Sequence, residues 1–135
     1  VDEAIKNHLN KNADYSSNSL NGKLIRGFDV EVINFQSLEK SYLNASEDFE
    51  KEHVTPYIYK SHSNLFKINS IEEKDLNISD IRVTLDTKED YTLLCAVFDN
   101  LYYINSNFSS EDVIDLFNRK PWLKNINENI EQKKL

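Results

Sequence analysis

The chain has 135 residues, which is enough for one domain with a hydrophobic core and too few for two domains of ordinary size. Its formal net charge of -7 and its pI near 4.9 give a surface that repels phosphate backbones, so nucleic acid is not an expected partner. No apolar run approaches the ~20 residues of a membrane-spanning helix, and no segment resembles a secretion signal, so we expect a soluble cytoplasmic protein without membrane contact.

The chain has no methionine and one cysteine, and both observations bear on its structure. The chain contains no methionine, and its first residues already read as the interior of a helix. We therefore predict that residues 1–135 form a single domain that is a fragment of a longer protein. The one cysteine, Cys95, lies in the apolar stripe of a predicted helix, and we expect it to pack in the core.

The amino-terminal part of the chain predicts a helix and a hairpin. Residues 1–11 indicate a surface helix, because apolar side chains recur every four residues along one edge. That edge consists of Val1, Ile5 and Leu9. A weak strand follows over residues 13–20, and Asn21-Gly22 supplies the positive φ that a tight reversal into the next strand requires.

The next predicted strand, residues 27–35, carries two acidic side chains of interest. Alternation along an extended strand places Asp29 and Glu31 on the same face. From the spacing alone, the simpler interpretation is the solvated face of an edge strand. The alternative is a pair of carboxylates that contacts a substrate.

Two helical segments come next, over residues 36–45 and 48–61. Pro56 must lie in the first turn of the second helix, bend it or interrupt it. If the helix is continuous, His53 lies one turn before Tyr57. This pair predicts either a polar seam between the helix and the sheet or a functional contact.

Residues 65–71 and 81–85 indicate strands, and the second is so rich in apolar and β-branched residues that we place it in the centre of the sheet. Asp86 follows at the corner before helix 87–102. It is either a helix cap, with Glu89 completing a capping box, or a carboxylate that holds a metal. The predicted inner stripe of the helix consists of Leu94, Val97, Phe98 and Leu101.

The carboxyl-terminal part predicts two more helices. Ser109 and Asp112 resemble a capping box that opens helix 110–118, and Pro121 starts a last helix. The predicted inner edge of that helix consists of Trp122, Leu123, Ile126 and Ile130. The order of elements indicates an α/β protein with a mixed sheet and helices packed against it.

The absence of several sequence motifs excludes some classes of binding site and catalytic site. The only glycines are Gly22 and Gly27, so neither a Walker loop nor a dinucleotide-binding fingerprint can be written in this chain. There is also no G-x-S-x-G elbow and no cysteine and histidine pattern with zinc spacing. The remaining candidates are carboxylates near strand ends, which suit Mg²⁺ because it prefers oxygen ligands.

Four segments occur together, in the same order, in one protein family. They are RGFDVEV at 26–32, EKEHVTPYIY at 50–59, IRVTLDTKEDY at 81–91 and RKPWLKNINENIEQK at 119–133. On these residues the chain resembles the carboxyl-terminal half of the spore-coat polysaccharide biosynthesis cytidylyltransferases, which are related to the acylneuraminate and deoxyoctulosonate cytidylyltransferases. The resemblance implies the carboxyl-terminal part of a Rossmann-like nucleotide-diphospho-sugar transferase fold.

The resemblance also implies an activity, namely transfer of a nucleotidyl group from CTP to a sugar that is destined for surface or spore-coat polysaccharide. Mg²⁺ is the implied cofactor, and Asp86 is an implied ligand because it matches the first aspartate of the family's D-T-P-E-D corner. Lys88 replaces the usual proline of that corner. The loop that binds CTP is expected upstream of Val1, so this chain alone is expected to be inactive.

The implied substrate-binding residues lie in two of the four segments. Arg26, Asp29 and Glu31 belong to the segment on the sugar side of the cleft, and His53 belongs to the E-H-V-T-P-Y-I segment. Two other functions stay open at this point: a non-catalytic packing or dimerisation domain, and a glycosyltransferase of the same fold. Self-association as a homodimer also stays open.

Overall fold

The computed structural model describes residues 1–21, 25–71 and 81–130. The described residues divide into two compact units, one formed by residues 1–21 and 29–71 and the other by residues 25–28 and 81–130. Each unit has its own cluster of buried apolar side chains. The single domain over residues 1–135, and its status as a fragment, stay predictions.

A three-stranded mixed sheet, with strand order β2-β1-β3, forms the centre of the first unit. β1 (Tyr15–Ser17) pairs antiparallel with β2 (Glu31–Ile33) and parallel with β3 (Ile68–Ser70). The antiparallel pairing confirms the predicted return from the first strand to the second, although Gly22 of the predicted turn lies outside the described residues. All three strands are shorter than the sequence predicted.

Three α-helices accompany this sheet: α1 (Asp2–Lys11), α2 (Phe35–Asn44) and α3 (Asp48–His53). The helices predicted over residues 1–11 and 36–45 are therefore confirmed. A π-helical segment, Tyr57–Ser61, and a short 3₁₀ helix, Ser63–Leu65, follow α3.

The predicted apolar edge of α1 is wrong, because Val1, Ile5 and Leu9 are exposed. The helix buries Ala4 and His8 instead. The reason is local chemistry, since the Nδ1 atom of His8 lies 2.9 Å from the hydroxyl of buried Ser16 on β1. A polar partner on the sheet thus selects the polar side of the helix, which apolar periodicity does not predict.

The helix predicted over residues 48–61 is interrupted. α3 ends at His53, and Val54 adopts φ 63° and ψ -54°, a backbone conformation that β-branched residues rarely adopt. The chain then resumes a helical path at Pro56, with φ -57°. Of the three predicted roles for Pro56, interruption is the one found.

The second unit consists mainly of helices. α4 (Lys88–Leu101) and α5 (Ser110–Arg119) pack with a 3₁₀ helix at Pro121–Ile126 around a shared core. The predicted capping box opens α5, because the Ser109 hydroxyl accepts from the Asp112 amide and the Asp112 carboxylate accepts from the Ser109 amide. In the last helix Leu123 is buried as predicted, whereas Trp122 is exposed.

The buried face of α4 is rotated from the predicted one. Its buried apolar residues are Leu93, Val97 and Leu101, whereas Phe98 is exposed and Leu94 is only half-buried. Cys95 is exposed, so the prediction that it packs in the core is wrong. The rotation follows from Asp90, which is fully buried one turn into the helix and fixes which face points inward.

The predicted central strand over residues 81–85 is also wrong. Within the described part of the chain, this segment makes one isolated parallel bridge between Arg82 and Arg26. Gly27 follows the bridge with φ 108°, and a Cβ atom at this position would lie 2.6 Å from the carbonyl oxygen of Val83, so the close approach requires glycine. Among the described helices, none is long and apolar enough to cross a membrane.

Candidate functional site

Asp86 lies at the corner immediately before α4 and its side chain is 63% exposed. Its Oδ2 atom accepts a hydrogen bond of 2.8 Å from Nη2 of Arg82. The predicted role of Asp86 as the helix cap is wrong, because Thr87 is the N-cap and its hydroxyl accepts from the Asp90 amide at 3.1 Å. Asp90, rather than Glu89, completes the capping box.

Asp90 organises this corner. It is completely buried, and its carboxylate receives two hydrogen bonds from Arg82, at 3.1 and 3.0 Å. Further donors are the Thr84 hydroxyl, the amides of Asp86 and Thr87, and the side-chain amide of Asn127. The Arg82 guanidinium is the main reason that the pKa of Asp90 lies well below its usual range.

The sequence interpretation missed both Asp90 and Arg82. One local signal pointed to Asp90, because Thr87 and Asp90 have the spacing of a capping box. No local signal identified Arg82, whose side chain reaches Asp86 and Asp90 from the extended segment before the corner. Two carboxylates share one guanidinium, so the formal charge of the three side chains is negative by one, and Asp86 is the exposed carboxylate.

The carboxylate of Asp86 is suited to be one ligand of a Mg²⁺ ion. Within the described residues its Oδ1 atom accepts no hydrogen bond and is therefore available to a ligand. Mg²⁺ is usually bound through one or two protein carboxylates together with water and substrate phosphates. No group of three or more metal-ligating side chains occurs in residues 1–21, 25–71 and 81–130, so Asp86 is not part of a complete protein cage there.

Glu31 is the centre of a second cluster, in the first unit. Its Oε1 atom accepts a hydrogen bond of 2.7 Å from the phenol of Tyr15 and one of 3.3 Å from the hydroxyl of Thr55. Tyr15 is 1% exposed, whereas Glu31 is exposed. As far as the structure describes the chain, the Oε2 atom accepts no hydrogen bond and is free to meet a ligand.

Two tyrosines lie beside Glu31, and one of them, Tyr15, donates a hydrogen bond to it. The rings of Tyr15 and Tyr59 stack with their centroids 5.8 Å apart. Burial, followed by the hydrogen bond to Glu31, raises the pKa of Tyr15 far above its usual value, and burial followed by the charge of Glu31 raises that of Tyr59. Both phenols therefore stay protonated across the physiological pH range.

The side chains of Asp29 and His53 are both exposed, and their predicted contacts with a substrate stay predictions. Asp29 is exposed, as Glu31 is, whereas Val30 between them is half-buried, which fits the predicted alternation although Asp29 lies two residues before β2. The imidazole of His53 is exposed, 3.9 Å from the carboxylate of Glu52. The carbonyl of His53 nevertheless accepts a 2.7 Å hydrogen bond from the amide of Thr55, which brings its backbone to the Glu31 cluster.

The predicted seam between His53 and Tyr57 is wrong, because the helix ends between them. Tyr57 instead stacks on His62, with ring centroids 4.2 Å apart. In the second unit, the side chain of Arg26 is exposed, and its backbone pairs with the segment that carries Arg82. Arg26 and Asp86 are thus both linked to Arg82, one through the backbone and the other through the side chain.

These features define a mixed α/β protein that exposes carboxylates at the start of β2 and at the corner before α4. No family model matches the chain. The chain is 37% identical to the uncharacterized protein MJ1063 of Methanocaldococcus jannaschii over 134 residues, which cover 98% of this chain and 53% of that protein.

Two further similarities concern proteins with informative names. The chain is 33% identical, over 123 residues, to the spore coat polysaccharide biosynthesis protein SpsF of Bacillus subtilis, covering 90% of this chain and 49% of SpsF. Its structure matches a cytidylyltransferase from Leptospira borgpetersenii with a TM-score of 0.79 and 26% identity, over 98% of this chain and 54% of the other. The resemblance predicted from the sequence is confirmed: the chain is homologous to SpsF and to this cytidylyltransferase. It spans about half the length of the curated relatives it matches.

Proposed function

We propose that the protein containing this chain is a cytoplasmic, CTP-dependent nucleotidyltransferase that activates a sugar for surface or spore-coat polysaccharide. In this proposal, residues 1–135 form the sugar-side, carboxyl-terminal part of a Rossmann-like nucleotide-diphospho-sugar transferase fold. The observation that carries it is the structural match to a cytidylyltransferase over 98% of the chain. The nucleotide-binding part is supplied by a different region of the protein.

The reaction is an in-line displacement at phosphorus. A sugar hydroxyl attacks the α-phosphorus of CTP, the bond to the bridging oxygen breaks, pyrophosphate leaves, and the proton of the hydroxyl passes to a base or to water. Bound Mg²⁺ supplies neutralisation of the charge that develops on the phosphates. In this scheme the exposed carboxylate of Asp86 is one ligand of that ion.

The chain's own contribution is to bind and orient the sugar. Glu31 presents one carboxylate oxygen that accepts no hydrogen bond from the described residues, and in this proposal it accepts one from a sugar hydroxyl. The side chains of Arg26, Asp29 and His53 are exposed and are proposed as further sugar contacts. A hydroxyl held in the attacking orientation gains the large rate advantage of a fixed geometry over free encounter.

The test is pyrophosphate release by the full-length protein in the presence of Mg²⁺. CTP, UTP, ATP and GTP are each offered with a panel of neutral sugars, amino sugars and sugar acids. We expect release from CTP with one sugar class, and we expect Glu31→Gln to raise the KM for that sugar without changing the KM for CTP. Absence of release from every pair would overturn the proposal.

A second candidate function is a non-catalytic packing or dimerisation domain. It is favoured by the large apolar side chains that the described part of the second unit exposes, including Tyr103, Ile104 and Trp122. Solvent-exposed apolar surface of this kind often marks a protein contact. Full-length protein that forms a dimer but releases no pyrophosphate with any sugar would support this function instead.

A further inference from the structure

We propose that Tyr15 is a positioning residue that holds the carboxylate of Glu31 in its ligand-binding orientation, an inference that rests on the function proposed above. Glu31 is a long, exposed side chain at the first position of β2. Such a side chain normally samples several rotamers in water. The carboxylate of Glu31 can therefore act as a hydrogen-bond acceptor of fixed orientation only if a rigid partner holds it.

Sheet register explains why Tyr15 is that partner. Ser17 lies directly opposite Glu31 across the antiparallel pair, so Tyr15 is the diagonal neighbour of Glu31 on the same face. A tyrosine is long enough to span this diagonal, and its phenol donates to Oε1 at 2.7 Å. The ring itself is immobilised, because it is 1% exposed and stacks on Tyr59.

Tyr15 and Thr55 together form a brace for the carboxylate of Glu31, and Thr55 reaches it from a different segment. Its hydroxyl lies 3.3 Å from the same Oε1 atom and 3.4 Å from the carbonyl oxygen of His53, so its one proton is shared between two acceptors. Thr55 is buried and its amide is tied to the carbonyl of His53 at 2.7 Å, directly after the strained backbone of Val54. The turn that interrupts the helix thereby brings a second rigid donor to Glu31.

The consequence is an asymmetric carboxylate. Two buried side chains fix Oε1, and Oε2 accepts no hydrogen bond from the residues that the structure describes. The brace sets the direction in which Oε2 points, so that a ligand hydroxyl meets an acceptor that needs no reordering. Removing the phenol hydroxyl leaves the carboxylate but releases its orientation.

The experiment compares Tyr15→Phe with Tyr57→Phe in the full-length protein. Each change removes one phenol hydroxyl from a buried ring of the same apolar cluster, but only Tyr15 bonds to Glu31. Tyr15→Phe releases one rotamer-rich side chain that the sugar must then immobilise, so we expect the KM for the sugar to rise up to about tenfold. The KM for CTP is expected to be the same in Tyr15→Phe and Tyr57→Phe, and melting curves show that both variants are folded.

Two substitutions at Thr55 test whether its hydroxyl is needed for sugar binding. Thr55→Ser keeps the hydroxyl and is expected to keep the KM for the sugar near that of the wild type, whereas Thr55→Val is expected to raise it. A Tyr15→Phe protein with the same KM for the sugar as Tyr57→Phe would overturn the inference.

A second readout does not depend on turnover. Side-chain coupling constants of Glu31, measured by NMR in the full-length protein, report whether it occupies one rotamer or several. We expect one rotamer in the wild type and in Tyr57→Phe, and averaging in Tyr15→Phe. Wild-type protein that releases no pyrophosphate overturns the proposed function, whereas averaged couplings in the wild type overturn the positioning role of Tyr15.

Discussion

At the scale of single residues, the most constrained charge in the described part of the chain is Asp90. Six hydrogen bonds end on its carboxylate, two of them from Arg82, and none of its surface meets water. The neighbouring Asp86 shares the same arginine but is largely exposed. The two carboxylates therefore differ in energetic role, although they lie four residues apart.

This difference predicts unequal effects on stability. Asp90→Asn leaves the guanidinium of Arg82, 11% exposed, without its buried counter-charge. We expect the free energy of unfolding to fall by about 3 kcal/mol, the typical cost of breaking a buried ion pair. Asp86→Asn removes an exposed partner and should cost at most about 1 kcal/mol. Urea unfolding of both variants measures the two values, and equal losses would contradict the account.

Acid should weaken the fold through the same carboxylate. The pKa of Asp90 is depressed in the folded state by Arg82, and that of Asp14 is depressed by the amide of Lys67. A depressed folded pKa contributes stability that is complete above the unfolded value of about 3.9 and is lost as the pH falls below it. We expect the free energy of unfolding to drop between pH 5 and about pH 2, and to drop less in Asp90→Asn. Parallel pH curves for the two proteins would show that Asp90 does not carry this effect.

The residues of the candidate site were predictable only in part. Glu31 was singled out by strand alternation and Asp86 by its place before a helix, the family resemblance implied their roles, and the structure gives both an exposed carboxylate. Their partners were not identifiable, because Tyr15 and Thr55 lie 16 and 24 residues from Glu31 along the chain. Such contacts depend on strand register and on the turn at Val54, and no local pattern encodes either.

At the scale of elements, helix ends are the best-determined features. α4 and α5 both begin with a reciprocal capping box, formed by Thr87 with Asp90 and by Ser109 with Asp112. The box of α5 was predicted from the sequence, whereas the predicted box of α4, Asp86 with Glu89, lies one residue before the observed one. The predicted strand over residues 81–85 does not form, because a strand requires a partner to pair with. Among the described residues, the segment around Arg26 makes one bridge with it before the backbone turns at Gly27.

The caps give a prediction at this scale. Thr87→Ala removes the hydroxyl that accepts from the Asp90 amide, and Ser109→Ala removes the equivalent hydroxyl of α5. Each change should lower the free energy of unfolding by about 1 kcal/mol, whereas Thr87→Ser should change it by only a few tenths. Thermal or urea unfolding provides the measurement, and a Thr87→Ala protein as stable as Thr87→Ser would show that the box contributes nothing.

At the scale of the whole molecule, the two exposed carboxylates of the candidate site belong to different units, Glu31 to the first and Asp86 to the second. The homology to SpsF and to a cytidylyltransferase gives these carboxylates a chemical context. The relatives are about twice as long as this chain, so the proposed activity belongs to the full-length protein.

The most direct test of the proposed activity is Mg²⁺-dependent pyrophosphate release from CTP by full-length Asp86→Asn. Asp99→Asn, an exposed change on α4, is the matched control, and melting curves confirm that both variants are folded. If Asp86 holds the ion, the lost stabilisation of the transition state amounts to several kcal/mol. Because each ~1.4 kcal/mol is tenfold in rate, we predict at least about a hundredfold loss of turnover in Asp86→Asn and wild-type turnover in Asp99→Asn. An Asp86→Asn protein with wild-type turnover would contradict the account and leave Asp86 only as the partner of Arg82.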